Sequence, residues 1–476
     1  MHSTLGVLKI RHLLLKLASK INLRMKSINP ATNEVIHEYQ EHTASEVKAI
    51  IASVQHEWRN WKEIPIEQRS DFFRQVAKLL REKQEIYARL ITDEMGKIIR
   101  ESLAEILKCA NVCDYYADHA KELLNDIVIP SDASRSFVTF QPLGVILAVM
   151  PWNFPFWQVF RFAAPSLMAG NAAILKHASN VPGCALAIEA IFRDAGLPKN
   201  LFRTLLIPSK DVNMVITDPV IKAVTLTGSE AAGSEVAMLA GQNIKKTVLE
   251  LGGSDPFIIL EDADMEKAVS TAITARMINQ GQSCIAAKRF IVVEKRITEF
   301  ENRTRLVMES FRMGNPLDLQ TDIGPLARKD IVAEIDRQVK KTITAGARLV
   351  LGGNTANRVG CYYQPTILSE VKPGMTAYQE ETFGPVISII RVKDEDEAIA
   401  VANDSEFGLG GSVWTENTKR GETVARRIET GAVFVNGLVK SDPRLPFGGI
   451  KKSGYGRELG EFGIREFVNI KTIWIR

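Results

Sequence analysis

Gly144-Val145-Ile146-Leu147-Ala148-Val149-Met150-Pro151 is the stretch on which the fold turns. Upstream of it the apolar residues keep helical spacing. A first helix is expected over residues 43–61. Phe72, Phe73, Val76, Leu79, Leu80, Ile86, Leu90 and Ile91 then mark a helical run over 66–95, and another follows over 102–124. At Phe137-Val138-Thr139-Phe140 the period shortens to that of a strand. The quoted run is then apolar on both faces and ends at a proline. A strand hidden on both faces suits a parallel sheet covered by helices, not an open antiparallel one.

The same rhythm returns downstream. Ala172-Ala173-Ile174-Leu175-Lys176 and residues 201–207, 221–226 and 246–250 are short apolar runs separated by helical segments, which argues for βαβ units. A second series starts near Leu251, with runs at 257–260, 290–293, 362–368, 386–392 and 433–435. Ile28-Asn29-Pro30-Ala31-Thr32 reads as a turn that opens the folded body. Phe447-Gly448-Gly449 and Gly454-Tyr455-Gly456 read as late turns, and residues 464–475 as a last strand.

With 476 residues, 45% of them apolar, the chain is long enough for two or three domains. The net charge of +4 comes from the first 26 residues, where Lys9, Arg11, Lys16, Lys20, Arg24 and Lys26 face no acid. The remainder is slightly acidic, so no nucleic-acid partner is expected. Residues 7–23 mix apolar and basic positions but are too short and interrupted for stable membrane insertion. They read as a targeting peptide, a membrane-surface helix, or an extension upstream of a start at Met25. Five cysteines (109, 113, 184, 284 and 361) make no disulfide framework and suit a reducing compartment, here the cytoplasm. Cys109 and Cys113 lie four apart in a helical run with no further ligand at metal spacing, so no metal is expected.

Cys284 ends Asn279-Gln280-Gly281-Gln282-Ser283-Cys284, a turn rich in backbone amides, thirty-four residues after Glu250. A thiolate attacks carbonyl carbon, and a carboxylate can activate the water that later cleaves the adduct. Gly-x-Gly-x-x-Gly is missing. Instead Val224-Thr225-Leu226-Thr227 runs into Gly228-Ser229 and a helix containing Gly233, a place where free N–H groups can meet a pyrophosphate. An ordinary strand-to-helix turn with a serine cap explains the same string. Lys176 ends an apolar strand, and Ser179 stands three positions on. An acid there would accept from ribose hydroxyls and repel a 2′-phosphate, so serine permits NADP without excluding NAD.

These strings in this order resemble the aldehyde dehydrogenase family over nearly all of the chain from Ile28. They are Pro151-Trp152-Asn153-Phe154-Pro155, Lys176, Thr227-Gly228-Ser229, Glu250-Leu251-Gly252-Gly253, Gly281-Gln282-Ser283-Cys284, Glu381-Thr382-Phe383-Gly384-Pro385 and Pro446-Phe447-Gly448-Gly449. Leu251-Gly252-Gly253-Ser254-Asp255-Pro256-Phe257 and Asn153-Phe154-Pro155-Phe156-Trp157-Gln158-Val159 look most like the bacterial succinate-semialdehyde dehydrogenases that accept NAD or NADP.

The resemblance implies an α/β fold in parts. Residues 27–125 and 145–250 would form a variant Rossmann cofactor domain, rejoined by 446–461. Residues 251–445 would form an α/β catalytic domain, and 126–144 with 462–476 a small β oligomerisation arm. It implies Cys284 as nucleophile, Glu250 as base for deacylation, and Asn153 as oxyanion donor beside the Cys284 N–H. Lys176 and Glu381 would hold ribose hydroxyls and Phe383 would pack near the nicotinamide ribose. Gly228 and Ser229 would border the pyrophosphate, with Pro151, Trp152, Ser179, Gly233 and Leu251 completing the cofactor side. Arm strands would expose their edges unless another subunit covered them, so a homodimer or homotetramer is expected.

For the aldehyde, Arg161 matters most. It lies eight residues beyond Asn153, on a helix that Asn153 is expected to begin, so both face one channel. The resemblance places it in the aldehyde tunnel, where a guanidinium can clamp the far carboxylate of a short semialdehyde. An ion-paired helix arginine is the competing reading. Trp157 and Ile285 are expected walls, Arg276 and Lys440 unranked second contacts, and residues 437–444 one lip of the entrance. Glutarate semialdehyde or an amino-aldehyde remains an alternative substrate. A CoA-acylating enzyme and a non-catalytic binding protein remain alternative functions.

Overall fold

The computed structural model describes residues 24–476. The readings of residues 7–23 lie outside the described residues. Arg24–Ile28 is a strand paired antiparallel with Val35–Gln40, and Arg24 and Lys26 both reach Glu38 at 3.0 Å. The basic extension expected to run through residue 26 is therefore shorter, because its last cations already belong to a hairpin.

The expected first helix forms as Ala44–Trp61, closed by a capping box between Thr43 and Glu46. The run over 66–95 divides at Lys83 into Ile66–Glu82 and Gln84–Met95, and Gly96, at φ 81°, ends the second piece. Ile99–Leu123 follows.

The first large sheet has the order Gly454–Tyr455, Lys246–Glu250, Ile221–Thr227, Val145–Met150, Ala172–His177, Phe202–Thr204. All neighbours are parallel except the short first strand. The chain enters at Val145–Met150, moves two strands one way, and returns to Ile221–Thr227 on the other side. The switch in direction therefore falls between Met150 and Thr227, the place where open α/β sheets bind ligands.

The second sheet runs Arg348–Leu351, Thr366–Ser369, Val386–Val392, Ala287–Val293, Asp255–Ile259, Gly410–Trp414, Ala432–Val435, parallel apart from its first pair. Its alternating residues feed two separate cores. Ile258, Ile291, Ile390 and Val413 pack on one face, and Phe257, Phe290, Ile389 and Trp414 on the other. The Gly410–Trp414 strand had no expectation in the sequence, because its two glycines hide the apolar signal.

A third sheet joins Val468–Ile475, Arg135–Pro142 and Ile127–Val128, all antiparallel. Val128, Ile470 and Trp474 remain about half or more exposed on it.

Candidate active site

The site lies where the C-terminal ends of the first sheet meet the N-terminal ends of the second. Residues 151–156 leave the first sheet after Met150, and the helix Trp157–Met168 begins only at Trp157. Asn153 thus sits on the turn before that helix, and the expectation that it begins the helix is corrected. Three groups hold the turn in place. Glu105 accepts from the N–H groups of Phe156 and Trp157, both at 2.9 Å, and is itself ion-paired with Lys97. The His177 ring accepts at Nδ1 from the Ala178 N–H, which leaves its Nε2 to donate to the Pro155 carbonyl at 2.8 Å. Asn279 Nδ2 donates to the Asn153 carbonyl at 2.7 Å.

Cys284 stands on a turn bent by three successive left-handed residues, Asn279 (φ 52°), Gln280 (φ 53°) and Gly281 (φ 77°). Such backbone costs free energy and persists only where its surroundings hold it. A Cβ on Gly281 would stand 2.1 Å from the Gly384 carbonyl oxygen, so only glycine fits. Glu101 accepts from the Asn279 N–H at 2.7 Å. Lys288 donates to the Cys284 carbonyl at 2.7 Å and pairs with Glu381 at 3.1 Å. Arg276, raised above as a possible substrate contact, is fully buried and spends its guanidinium on the carbonyls of Ala287, Gly281, Thr382 and Gly384. It is a brace of this turn, and that reading of Arg276 is corrected.

Two cavities meet at Cys284. One, of about 210 Å³, is lined by Pro151, Trp152, Asn153, Thr227, Gly228, Ser229, Leu251, Gly252, Glu381 and Phe383 together with Cys284. The other, of about 90 Å³, takes Cys284 and Ile285 with Trp157, Gln158, Arg161, Lys108, Ser441 and Phe447 among its walls. The first suits a dinucleotide. Ser229 caps the helix Glu230–Gln242 at the cavity edge, so its first N–H groups are offered to an anion, and Glu381 brings a partly exposed carboxylate. Lys176, Ser179 and Gly233 do not line it. Lys176 lies nearby in the sheet and donates to Ser209 at 3.2 Å, and Ser179 is exposed. Gly233 lets the helix press on Leu251, whose Cδ2 would stand 2.6 Å from an added Cβ.

Electrostatics divides the polar residues. Burial pushes the Cys284 thiol up to about 12, and Arg161 and Lys288 pull against it. Glu250 is 2% exposed, neither carboxylate oxygen has a hydrogen-bond partner, and burial holds it well above the usual carboxylate range while Arg161 opposes the shift. It lines neither cavity and lies close to Gly448, where an added Cβ would be 2.7 Å from its Oε1. Arg161 is ion-paired with Glu458, donates to Thr227 Oγ1 at 3.2 Å, and lies 4.7 Å from the Phe447 ring centre. Asn153 Nδ2 donates to the Gln282 carbonyl at 3.1 Å. The arrangement can present one sulfur to a carbonyl from one side and to a bound cofactor from the other.

Sequence reasoning missed Lys97, Glu101, Glu105, Lys108, Asn279, Lys288 and Glu458, and it reached Ser441 only as part of the 437–444 lip, whose residues 438–441 do line the small cavity. Only Asn279 carried a local signal, an asparagine beside Gln280-Gly281, since asparagine tolerates left-handed backbone. The others meet their partners across distant elements.

A thiol shared by a cleft edged by a helix N-terminus and by a small pocket suits a cysteine-dependent oxidoreductase, and the comparisons agree. The chain belongs to the aldehyde dehydrogenase family, whose model matches residues 18–473. It is 53% identical to a probable succinate-semialdehyde dehydrogenase [NADP(+)] of Synechocystis sp., over 95% of this chain and 100% of that protein. It is 46% identical to the Escherichia coli succinate semialdehyde dehydrogenase [NAD(P)+] Sad, over 94% and 97% of the two. The crystal structure of succinic semialdehyde dehydrogenase from Streptococcus pyogenes in complex with NADP+ superposes with a TM-score of 0.93 at 40% identity, covering 95% and 99%.

Proposed function

We propose that this protein oxidises succinate semialdehyde to succinate with NAD(P)+. The observation that carries the reading is Cys284 as the shared wall of two cavities, a larger one edged by the Gly228–Ser229 turn and a small one lined by Trp157, Arg161 and Lys108. The similarity to succinate-semialdehyde dehydrogenases that use NADP+ or NAD(P)+ supports the substrate and the cofactor.

In this reading the Cys284 thiolate adds to the aldehyde carbon and forms a thiohemiacetal. The buried thiol needs help to ionise, and Arg161 and Lys288 are the cations that favour its anion. The oxyanion takes hydrogen bonds from Asn153 Nδ2 and the Cys284 N–H. Removing one such donor typically costs about 3–4 kcal/mol of transition-state stabilisation. The Gly228–Ser229 turn and Glu381 would hold a nicotinamide dinucleotide in the larger cavity, with Lys176 nearby in the sheet, and that cofactor would supply the hydride acceptor. Trp152 and Phe383, 5.8 Å apart edge to face, give that side an aromatic wall. The Cys284 thioester is then cleaved by water that Glu250 deprotonates. A carboxylate raised by burial accepts a proton near neutral pH better than an ordinary one does.

Lys176 has no acid at position 179 to oppose it, which favours acceptance of NADP alongside NAD. Glutarate semialdehyde differs by one methylene, worth about 1–3 kcal/mol in a fitted site, and the similar succinate-semialdehyde dehydrogenases support the four-carbon substrate. The exposed apolar edge of the Val468–Ile475 sheet supports a homo-oligomer, a dimer or a tetramer. Five free cysteines, one of them needed as a thiol, support a cytoplasmic setting. Among the described residues no helix is long and apolar enough to cross a membrane.

The test is kcat/KM for three- to five-carbon aldehydes with and without a terminal carboxylate, run with both cofactors. Succinate semialdehyde is expected to lead the panel. An uncharged aldehyde turned over equally well would overturn the substrate assignment.

A further inference from the structure

We propose that Lys108, with Ser441 beside it, receives the distal carboxylate of the substrate and so sets the preference for an acidic aldehyde. The inference deepens the function proposed above and rests on it.

Three cations line the small cavity, Lys108, Arg161 and Lys440, and they differ in what they have left to give. Arg161 is already paired with Glu458 and bonded to Thr227. Lys108, from the middle of the helix Ile99–Leu123, donates to Ser441 Oγ at 2.6 Å and sits 4.0 Å from the centre of the Trp157 ring. Among the described residues those are a hydroxyl and an aromatic face, and no carboxylate pairs with it. Lys440 is exposed at the rim, and Arg276 is consumed by carbonyls.

A screened ammonium without a counter-charge is unfavourable, and an incoming carboxylate relieves it. A lysine whose purpose was packing would reach solvent or a protein acid; this one ends in the cavity that also holds Cys284. Trp157 lines the same cavity beside Lys108 as a flat apolar wall, suited to the methylenes that separate the substrate's two ends. The Ser441 hydroxyl, an acceptor from Lys108 now, can turn its own proton to the same carboxylate. The cavity is small enough, about 90 Å³, that a short acid has few other places to put its charge.

Burial lowers Lys108 to about 8, helped by Arg161 on the facing helix and by Lys97, while Glu105 and Cys109 act the other way. Its charge is therefore present below about pH 8 and lost above it.

The experiment compares wild type, Lys108→Met, Lys108→Arg and Ser441→Ala on succinate semialdehyde and on butanal, the uncharged aldehyde with the same carbon count. The wild type is expected to prefer the acid. Lys108→Met should cut the ratio of kcat/KM values for acid over butanal on the order of 10–100-fold, mainly through KM for the acid, as expected for loss of a charged hydrogen bond. Lys108→Arg should keep more of that ratio than Lys108→Met, and Ser441→Ala should lose a smaller part. A ratio unchanged in Lys108→Met overturns the assignment of Lys108 and leaves the substrate reading standing. A wild type without preference overturns both. Should Lys108→Met fail to fold, the wild-type pH series decides. KM for succinate semialdehyde rising above about pH 8 while KM for butanal stays level supports the proposal, and parallel profiles overturn it.

Discussion

On the cofactor side of Cys284 the walls are strand ends and tight turns: Pro151 and Asn153 after one strand, Gly228 and Ser229 after the next, and Leu251 and Gly252 at the bridge between the sheets. On the aldehyde side they are long side chains thrown in from separate helices and a late loop, with Lys108 meeting Ser441 across 333 positions of chain. The first cavity is built from backbone and belongs to the topology, and the second is built from side chains and belongs to this particular sequence. A fold of this kind can keep its redox chemistry while its aldehyde changes.

The largest expected effect strikes both sides at once. Cys284→Ala should lower aldehyde oxidation on the order of 10⁴-fold or more, while NADPH binding followed by fluorescence still saturates. Substantial turnover in that variant would refute the nucleophile. Arg161→Leu tests the aldehyde side as structure. It leaves Glu458 buried without its partner, and thermal or urea unfolding should show a loss of about 3–5 kcal/mol. Adding Glu458→Leu should restore much of that stability; a single variant as stable as wild type would show that the pair carries no weight.

Asn153→Ala, on the cofactor side, is expected to lower kcat about 10²–10³-fold with little change in unfolding. A drop in stability that matches the drop in rate would instead make Asn153 a support of the Cys284 turn. The smallest effect concerns length. Ile285→Ala enlarges the aldehyde pocket and should shift kcat/KM toward the five-carbon semialdehyde by about tenfold relative to the four-carbon one. No shift would mean that Ile285 is not a wall.

The same contrast explains what could be read from the chain alone. Val145–Met150 declares itself because a buried parallel strand can be an unbroken apolar run, Val386–Val392 is nearly so, and the cofactor-side strings are contiguous turns. Gly410–Trp414 and the hairpin from Arg24 do not, since glycines and alternating charges mask their pairing. Arg276 misleads because a buried arginine satisfied by carbonyls looks, in sequence, like any other arginine. Lys108 and Glu105 stay silent because each gains its meaning from a residue on another element.

The acid limb of the pH profile offers a check on Glu250. Burial raises its carboxyl, so its basic form is lost as pH falls through a value above the ordinary 4.5, and kcat should decline there when deacylation limits the rate. The most direct measurement of the whole account is mass spectrometry of Glu250→Gln quenched during turnover of succinate semialdehyde with NADP+. A burst of NADPH with a succinyl adduct on the peptide that carries Cys284 is the predicted result. NADPH formed while that peptide remains unmodified would contradict it.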